Sequence, residues 1–266
     1  MRIKQLSQLK RGLALTLPAL VISGALAGCA TPPPKSETAN YAAYKQLNDP
    51  LEPTNRVFYR VNNTLDTYLM KPIAQGYVDV TTQGIRNHVG NFTSNIGEPA
   101  RMLNFMASGN PRDAGTSLVR FLLNSTIGLG GIFDPAAALG YTKTDTDFGL
   151  TLASWGVPAG PYLYLPIFGP SGVRDAASLP VEWFATPMEA APESGALDAF
   201  GYAETGINLV NTRAEFIPVI NQIKATALDP YATFRSLYRQ SRTSELQQIQ
   251  QNDKRTWPNW YSHSNK

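Results

Sequence analysis

An all-α, mostly helical fold is what the 266-residue sequence predicts, and three observations carry it. Apolar residues recur at three- and four-residue spacing through several long stretches. Helix starts are written as Asp-Pro or Asn-Pro pairs at Asp49-Pro50, Asn110-Pro111, Asp134-Pro135 and Asp229-Pro230. Strand-like extension is confined to Tyr162, Leu163, Tyr164 and Leu165, bracketed by Pro161 and Pro166, which allows at most a small hairpin or hook. One segment stands apart from the helices. Between Asp147 and Arg174 lie 26 residues without an Asp, Glu, Lys or Arg. That exceeds the roughly 20 apolar residues that cross a bilayer core, yet Pro158, Pro161, Pro166 and Pro170 with five glycines would break any continuous helix there.

At the N-terminus, Arg2, Lys4, Lys10 and Arg11 precede an apolar run over residues 13–26, the arrangement of a secretory signal. Leu26-Ala27-Gly28-Cys29 resembles the lipobox of bacterial lipoproteins, making residues 1–28 a signal peptide and Cys29 the lipidation site. Cys29 is the sole cysteine, so no disulfide framework exists and its thiol is free for acylation. Ala30 follows, rather than the Asp that retains such lipoproteins at the inner membrane. This implies an anchor in the periplasmic leaflet of a Gram-negative outer membrane. Without residues 1–28 the chain carries 19 basic and 20 acidic side chains, so its formal charge of +3 belongs to the signal. A nucleic-acid partner is excluded for want of a basic surface excess.

Residues 29–47, with Pro32, Pro33 and Pro34, read as a tether between anchor and body. A helix is expected over residues 50–70, its face formed by Leu51, Phe58, Val61, Leu65, Tyr68 and Leu69, and ended by Pro72. A second is expected over residues 73–89, then a loop over 91–99 and a short helix over 100–108 stopped by Gly109. Asn110 as N-cap and Pro111 at the first position open a helix to about Asn124 that turns Leu118, Phe121 and Leu122 inward. The glycine-rich stretch holding Gly128, Gly130 and Gly131 leads to a short helix from Pro135 to Leu139. Ser171 is read as the cap of a helix over 172–179, continued past a kink over 180–185. Residues 187–195 form a turn-rich break. Helices over 197–225, kinked at Pro218, and from Tyr231 to about Gln251 complete the body, residues 48–244. Residues 245–266 read as a polar, disordered tail containing Trp257, Trp260 and Tyr261.

Enzyme chemistry is poorly supported. The two histidines, His88 and His263, are far apart, no strained nucleophile turn is present, and the single cysteine is assigned to lipid. No cofactor or metal is implied. Asp147-Phe148-Gly149 matches a kinase metal-binding tripeptide, but the catalytic loop and glycine-rich loop that give it meaning are missing. Glu193-Ser194 leaves a peptidoglycan lytic enzyme as one alternative, although Pro192 and Gly195 make a turn where such a glutamate ends a helix. A structural lipoprotein tethering a porin or the cell wall is the other.

The ordered motifs resemble one family. They are Asn48-Asp49-Pro50-Leu51-Glu52 through Asn55-Arg56, Asn91-Phe92 through Asn95 and Pro99, Arg120-Phe121 through Asn124 to Gly128, and Asp147-Phe148-Gly149 with Trp155-Gly156. Gly160-Pro161-Tyr162 through Pro166, Gly169-Pro170-Ser171, Arg174-Asp175 and Asp229-Pro230-Tyr231 complete the set. Over residues 48–242 the chain is similar to the MlaA (VacJ) lipoproteins. That resemblance implies a ring-like helical domain with an amphipathic channel, lying in the inner leaflet of the outer membrane. It implies removal of mislocalised phospholipids from the outer leaflet, transfer to a periplasmic phospholipid carrier of the MlaC type, association with a trimeric porin, and no covalent chemistry. On this reading Gly128, Gly130 and Gly131 form a gate or hinge. Phe148, Trp155, Tyr162, Leu163, Tyr164, Leu165 and Phe168 form the lipid-channel rim.

Overall fold

A computed structural model of the chain describes residues 34–37, 48–185 and 194–252. Cys29, Glu193, Trp257, Trp260, Tyr261 and His263 lie outside them, as does most of the expected tether. Among the described residues the fold is helical apart from one two-stranded sheet, as the sequence predicts. The helices are α1 (Glu52–Leu65), α2 (Lys71–Val80), α3 (Gln83–Ile96), α4 (Glu98–Ala107), α5 (Pro111–Thr126), α6 (Pro135–Ala138), α7 (Phe148–Ser154), α8 (Val173–Ala185), α9 (Gly195–Glu215), α10 (Ile217–Thr226) and α11 (Pro230–Asn252). A π-turn (Asp66–Met70) joins α1 to α2, and β1 (Tyr162–Leu165) and β2 (Gly169–Gly172) lie between α7 and α8. Two compact units result. The described residues up to Thr64 with Pro158–Pro180 make one, and Leu65–Val157 with the described residues from Val181 onward make the other.

In the first unit an antiparallel hairpin pairs Tyr162 with Gly172 and Leu165 with Gly169. The free edge of β1 would expose unpaired backbone groups, and α1 covers it with two asparagines seven residues apart, on one helix face. Asn55 Nδ2 donates to Tyr162 O at 3.1 Å and to Asp49 Oδ1 at 2.8 Å, while its Oδ1 accepts from Tyr164 N–H at 2.9 Å. Two turns on, Asn62 Nδ2 donates to Leu165 O at 2.8 Å and its Oδ1 accepts from Ile167 N–H at 2.9 Å. Asn48 completes the edge by accepting Tyr162 N–H at 2.8 Å. The side-chain amides thus stand in for a third strand. Tyr59 packs edge-to-face on Tyr164 at 5.6 Å. At the hairpin tip Phe168 N–H bonds Pro166 O across Ile167, whose φ of 70° is strained for a β-branched residue. Ser171 is not a helix cap: it belongs to β2, and its hydroxyl bonds Gly172 O at 3.2 Å.

The second unit departs from the predicted element ends at three places. Pro72 does not stop the first helix. The π-turn just before it opens the hydrogen-bond ladder, with Lys71 N–H bonding Asp66 O, where the proline ring would otherwise meet the preceding carbonyl. The expected second helix is instead two, split at Thr81, with Thr82 accepting from Ile85 N–H as the cap of α3. The expected loop over 91–99 is mostly helix. Its loop-forming side chains reach distant partners: Asn91 bonds Ile132 O, Asn95 bonds Ser125 and Gly130, and Thr93 bonds Asn208 as well as Gly90 O of its own helix. The last helix ends at Asn252, close to the expected Gln251, and its stretch from 245 is ordered helix and not yet tail. Ile249 is buried in the core with Phe105, Ala114 and Leu150, and Leu246 packs against them.

Three of the four written helix starts are as read: Asn110 accepts from Asp113 N–H, Asp134 from Ala137 N–H and Asp229 from Ala232 N–H, while α1 begins at Glu52, two residues after Pro50. Gly109, at φ 77°, ends α4. Asp147 also caps a helix the sequence reading missed, α7, accepting from Leu150 N–H at 2.7 Å. Its carboxylate receives both terminal nitrogens of Arg242, at 2.6 and 2.9 Å, which ties α11 to α7.

Replacing Asn55 with Leu keeps the volume but leaves Tyr162 O and Tyr164 N–H unmet. At about 1–3 kcal/mol for each buried unsatisfied group, the variant should lose at least about 2 kcal/mol in denaturant melts. Hydrogen exchange at the Tyr164 amide should accelerate.

Candidate functional site

The second unit buries polar side chains and exposes apolar ones along the same helices. On α5 the residues facing the protein are Asp113, Ala114, Thr116, Ser117, Arg120 and Asn124, whereas Leu118 and Leu122 are exposed. The expectation that Leu118 and Leu122 point inward is therefore reversed. The pattern has the right period and the opposite sign. The π-turn and α2 behave alike: Tyr68, Leu69, Ile73 and Val80 are exposed, the first and last to 80% and 82%. Leu103 and Met106 on α4, and Phe200, Ile207 and Leu209 on α9, continue the trend. Among the described residues no helix is long and apolar enough to cross a membrane.

At the centre of the buried polar stripe lies Arg120, 3% exposed. Each guanidinium nitrogen has a partner: Nε donates to Glu98 Oε1 at 2.8 Å, Nη1 to Tyr141 O at 2.6 Å and Nη2 to Asp134 Oδ2 at 2.9 Å. Glu98, itself buried, also receives Arg101 Nε at 3.2 Å. Asn124 donates to Asp134 Oδ1 at 3.0 Å and accepts Ala136 N–H at 3.1 Å. Two arginines and two carboxylates thereby balance, tying α4, α5 and α6 together. Burial alone would favour neutral Arg120, but the hydrogen bonds to Glu98 and Asp134 outweigh it and raise its pKa. Burial pushes the Asp134 carboxyl up, yet the hydrogen bond from Arg120, then that from Ala137 N–H, bring it below the ordinary carboxylate value.

A second ion cluster holds the π-turn. Asp66, its first residue, takes Arg213 Nε at 2.5 Å and Nη2 at 3.1 Å, and Lys224 Nζ at 2.8 Å. Desolvation opposes ionisation of Asp66, and the two cations more than offset it, lowering its pKa. Beside this cluster on α9, Tyr77, Ala203, Gly206, Ile207 and Val210 line an apolar groove of about 320 Å³. Tyr77 forms one wall and is fixed by its hydroxyl, which donates to Asn211 Oδ1 at 2.9 Å.

The glycines expected to gate or hinge lie in one tight turn. Gly128 N–H bonds Leu123 O, Gly130 N–H bonds Ser125 O, and Gly131 N–H bonds Asn124 O. A Cβ on Gly128 would come within 2.5 Å of the carbonyl oxygens of Asn124 and Phe133, and one on Gly131 within 2.5 Å of Asn95. Close packing is what requires glycine at those two positions. The turn leaves Ile127, Leu129, Ile132 and Phe133 exposed.

The expected rim residues do not act as a set. In the first unit, Tyr162, Tyr164 and Leu165 are 2%, 8% and 6% exposed. Side chains alternate across a strand, so Tyr162 and Tyr164 share the face on which Tyr59 of α1 packs, and Leu165 is buried on the other. Leu163 is half-buried, and Phe168 at the tip is exposed. In the second unit Trp155 lies on the surface with its Nε1–H donating to Ala107 O at 2.9 Å, and the half-buried Phe148 packs edge-on to it at 6.2 Å. The buried polar network was not anticipated. Its signal was available as Asp113, Ser117, Arg120 and Asn124, polar residues at helical spacing.

Comparison with known proteins places these features. The sequence profile of the MlaA lipoproteins matches residues 47–245. An uncharacterized protein of Rickettsia bellii is 31% identical over 211 residues, 79% of this chain and 81% of its own. The intermembrane phospholipid transport system lipoprotein MlaA of Escherichia coli K12 is 33% identical over 202 residues, 72% of this chain and 75% of its own. A solved structure described as the structural basis for maintenance of bacterial outer membrane lipid asymmetry superposes with a TM-score of 0.62 at 29% identity. It covers 74% of this chain and 98% of its own.

Two outcomes follow from the ion network. Arg120→Met leaves Glu98 and Asp134 buried without their cation and should cost about 3–5 kcal/mol, read by denaturant or thermal melts. Asp134 and Asp66 both sit below 3.8 when folded, so the unfolded chain binds more protons than the folded one as acid is added. Their stabilisation is complete above about pH 4–5 and is lost as pH falls through the depressed values. Stability measured from pH 6 to pH 2 should fall in that lower range, and Asp66→Asn should flatten part of the slope.

Proposed function

The chain belongs to the MlaA lipoprotein family, and from that premise we propose that it is an outer-membrane lipoprotein anchored through Cys29 in the periplasmic leaflet. It removes mislocalised phospholipids from the outer leaflet along an amphipathic channel and passes them to a periplasmic carrier. It works beside a trimeric porin and makes or breaks no covalent bond. The observation that carries this reading is the inversion along the helices of the second unit, with Arg120, Glu98 and Asn124 inside and Leu118, Leu122 and Val80 outside. A chain with that arrangement gains by meeting acyl chains on its outer faces, and among the described residues it has no spanning helix.

Passage needs no energy source within the protein. A lipid moves downhill when its headgroup stays with polar groups and its tails stay out of water, since each exposed methylene costs about 0.8 kcal/mol. The gate reading fits a turn that holds apolar side chains outward on a backbone too tight for Cβ atoms. In this proposal the rim is reduced to the exposed residues, Trp155 and Phe168.

The test is the outer-leaflet phospholipid content of cells lacking the gene and complemented by variants. Loss of the gene should raise it and the wild-type chain should restore it. Cys29→Ala, or Leu118→Glu with Leu122→Glu, should fail to restore it, the double variant also binding membranes at least about tenfold more weakly. Unchanged outer-leaflet lipid on loss of the gene would sink the proposal.

A further inference from the structure

Helix α9 carries few charges, and among them Glu204 is partly withdrawn from water without a counterpart among the described residues, whereas Glu215 is exposed. Arg213 is engaged by Asp66, but Glu204 makes no hydrogen bond or ion pair among the described residues, although it is half-buried. Burial raises its carboxyl pKa, with no neighbouring cation to bring it down. A carboxylate partly withdrawn from water and left unpaired is costly, and such groups are satisfied by partners or ligands. The surroundings of Glu204 are lipid-like on one side. It follows Ala203 in the chain and stands one turn before Ile207, and both of these line the apolar groove with Tyr77, Gly206 and Val210. On its other side, Phe200 one turn earlier meets Phe92 edge-to-face at 6.4 Å. The groove, about 320 Å³, falls within the size of small-molecule sites, roughly 300–1,000 Å³.

An apolar groove with one unpaired anion at its flank is complementary to an amphiphile whose head is a cation. We propose that Glu204 and the groove lined by Tyr77, Ala203, Gly206, Ile207 and Val210 form a subsite for an amine-bearing phospholipid. The acyl chain lies in the groove and the ammonium group meets the Glu204 carboxylate. This inference rests on the phospholipid-handling reading and adds a headgroup preference to it. The groove is preformed: the Tyr77 wall is held by Asn211, and Asn211 is buried where α9 meets α2 and α3. Little side-chain ordering is then needed when the chain enters.

The experiment uses the full lipidated chain, stripped of bound lipid in detergent. It is equilibrated with vesicles of equal parts phosphatidylethanolamine and phosphatidylglycerol carrying the same acyl chains, and the bound lipid is extracted and quantified. The wild-type chain should be enriched in phosphatidylethanolamine. Glu204→Gln should lower that enrichment about tenfold, the effect of losing one charge-assisted hydrogen bond, with total bound lipid unchanged. Glu204→Lys should favour phosphatidylglycerol. Gly206→Leu places a side chain into open space in the groove, since a Cβ there meets nothing within 4 Å. It should reduce total lipid while leaving the headgroup ratio alone. Bound lipid with no amine preference in the wild type, or an unchanged preference in Glu204→Gln, overturns the subsite and leaves the lipid-handling reading standing. A wild-type chain that takes up no lipid overturns both.

Discussion

The cost of burying Arg120 organises the second unit. A guanidinium taken out of water is tolerated only when every nitrogen finds an acceptor and an opposite charge lies close. Here Glu98, Asp134 and Tyr141 O supply them. Meeting that condition fixes α4 against α5, closes the glycine turn onto α6, and forces Asp113, Ser117 and Asn124 to share the inward stripe of α5. Leu118 and Leu122, on the opposite side of the same helix, are turned out. Exposed Leu118 and Leu122 are thus a geometric consequence of the ion network, and the outer surface inherits its character from the interior.

The same logic governs the hairpin in the first unit. A strand edge is a row of unmet donors and acceptors, and in surroundings poor in water each would cost several kcal/mol. Asn55 and Asn62 satisfy that edge from a helix, so the hairpin needs no third strand and no solvent along β1. Tyr162 and Tyr164 are buried on one face of β1 and Leu165 on the other, and the tip keeps Ile167 and Phe168 outside. Both units therefore satisfy polar groups internally and leave apolar groups for the environment. A lipid-anchored protein that handles phospholipid can use that arrangement, whereas one surrounded by water would lose stability by it.

Much of the local structure was legible in the chain. The caps at Asn110, Asp134 and Asp229 and the stop at Gly109 are local chemistry, since a side-chain oxygen bonds a backbone N–H two or three residues on, whatever lies beyond. The bracketed strand Tyr162–Leu165 was legible because Pro161 and Pro166 punctuate it. The helical stretch around Asn91, Thr93 and Asn95 was not. Such residues favour loops when they bond non-helical local backbone; here Asn91 and Asn95 reach Ile132 and Ser125, and Thr93 reaches Asn208 besides Gly90 O within its helix. The burial of Tyr162, Tyr164 and Leu165 was illegible for a related reason: an aromatic, apolar strand reads the same whether it faces lipid or a helix, and the asparagines that hold its edge lie more than a hundred residues earlier in the chain.

By itself, then, the sequence determined the helix starts at Asn110, Asp134 and Asp229 and the stop at Gly109, that the segment from Asp147 to Asp175 cannot be one helix, and which family the motifs resemble. These follow from covalent and near-neighbour chemistry. Only the tertiary structure decided which face of each helix turns inward, that Pro72 is carried through a π-turn, and that Glu204 stands unpaired beside a groove. An amphipathic pattern gives a period and a direction around the helix axis, but inside and outside are defined by partners. For α5 the partners were the carboxylates of Glu98 and Asp134, and they drew the polar face in.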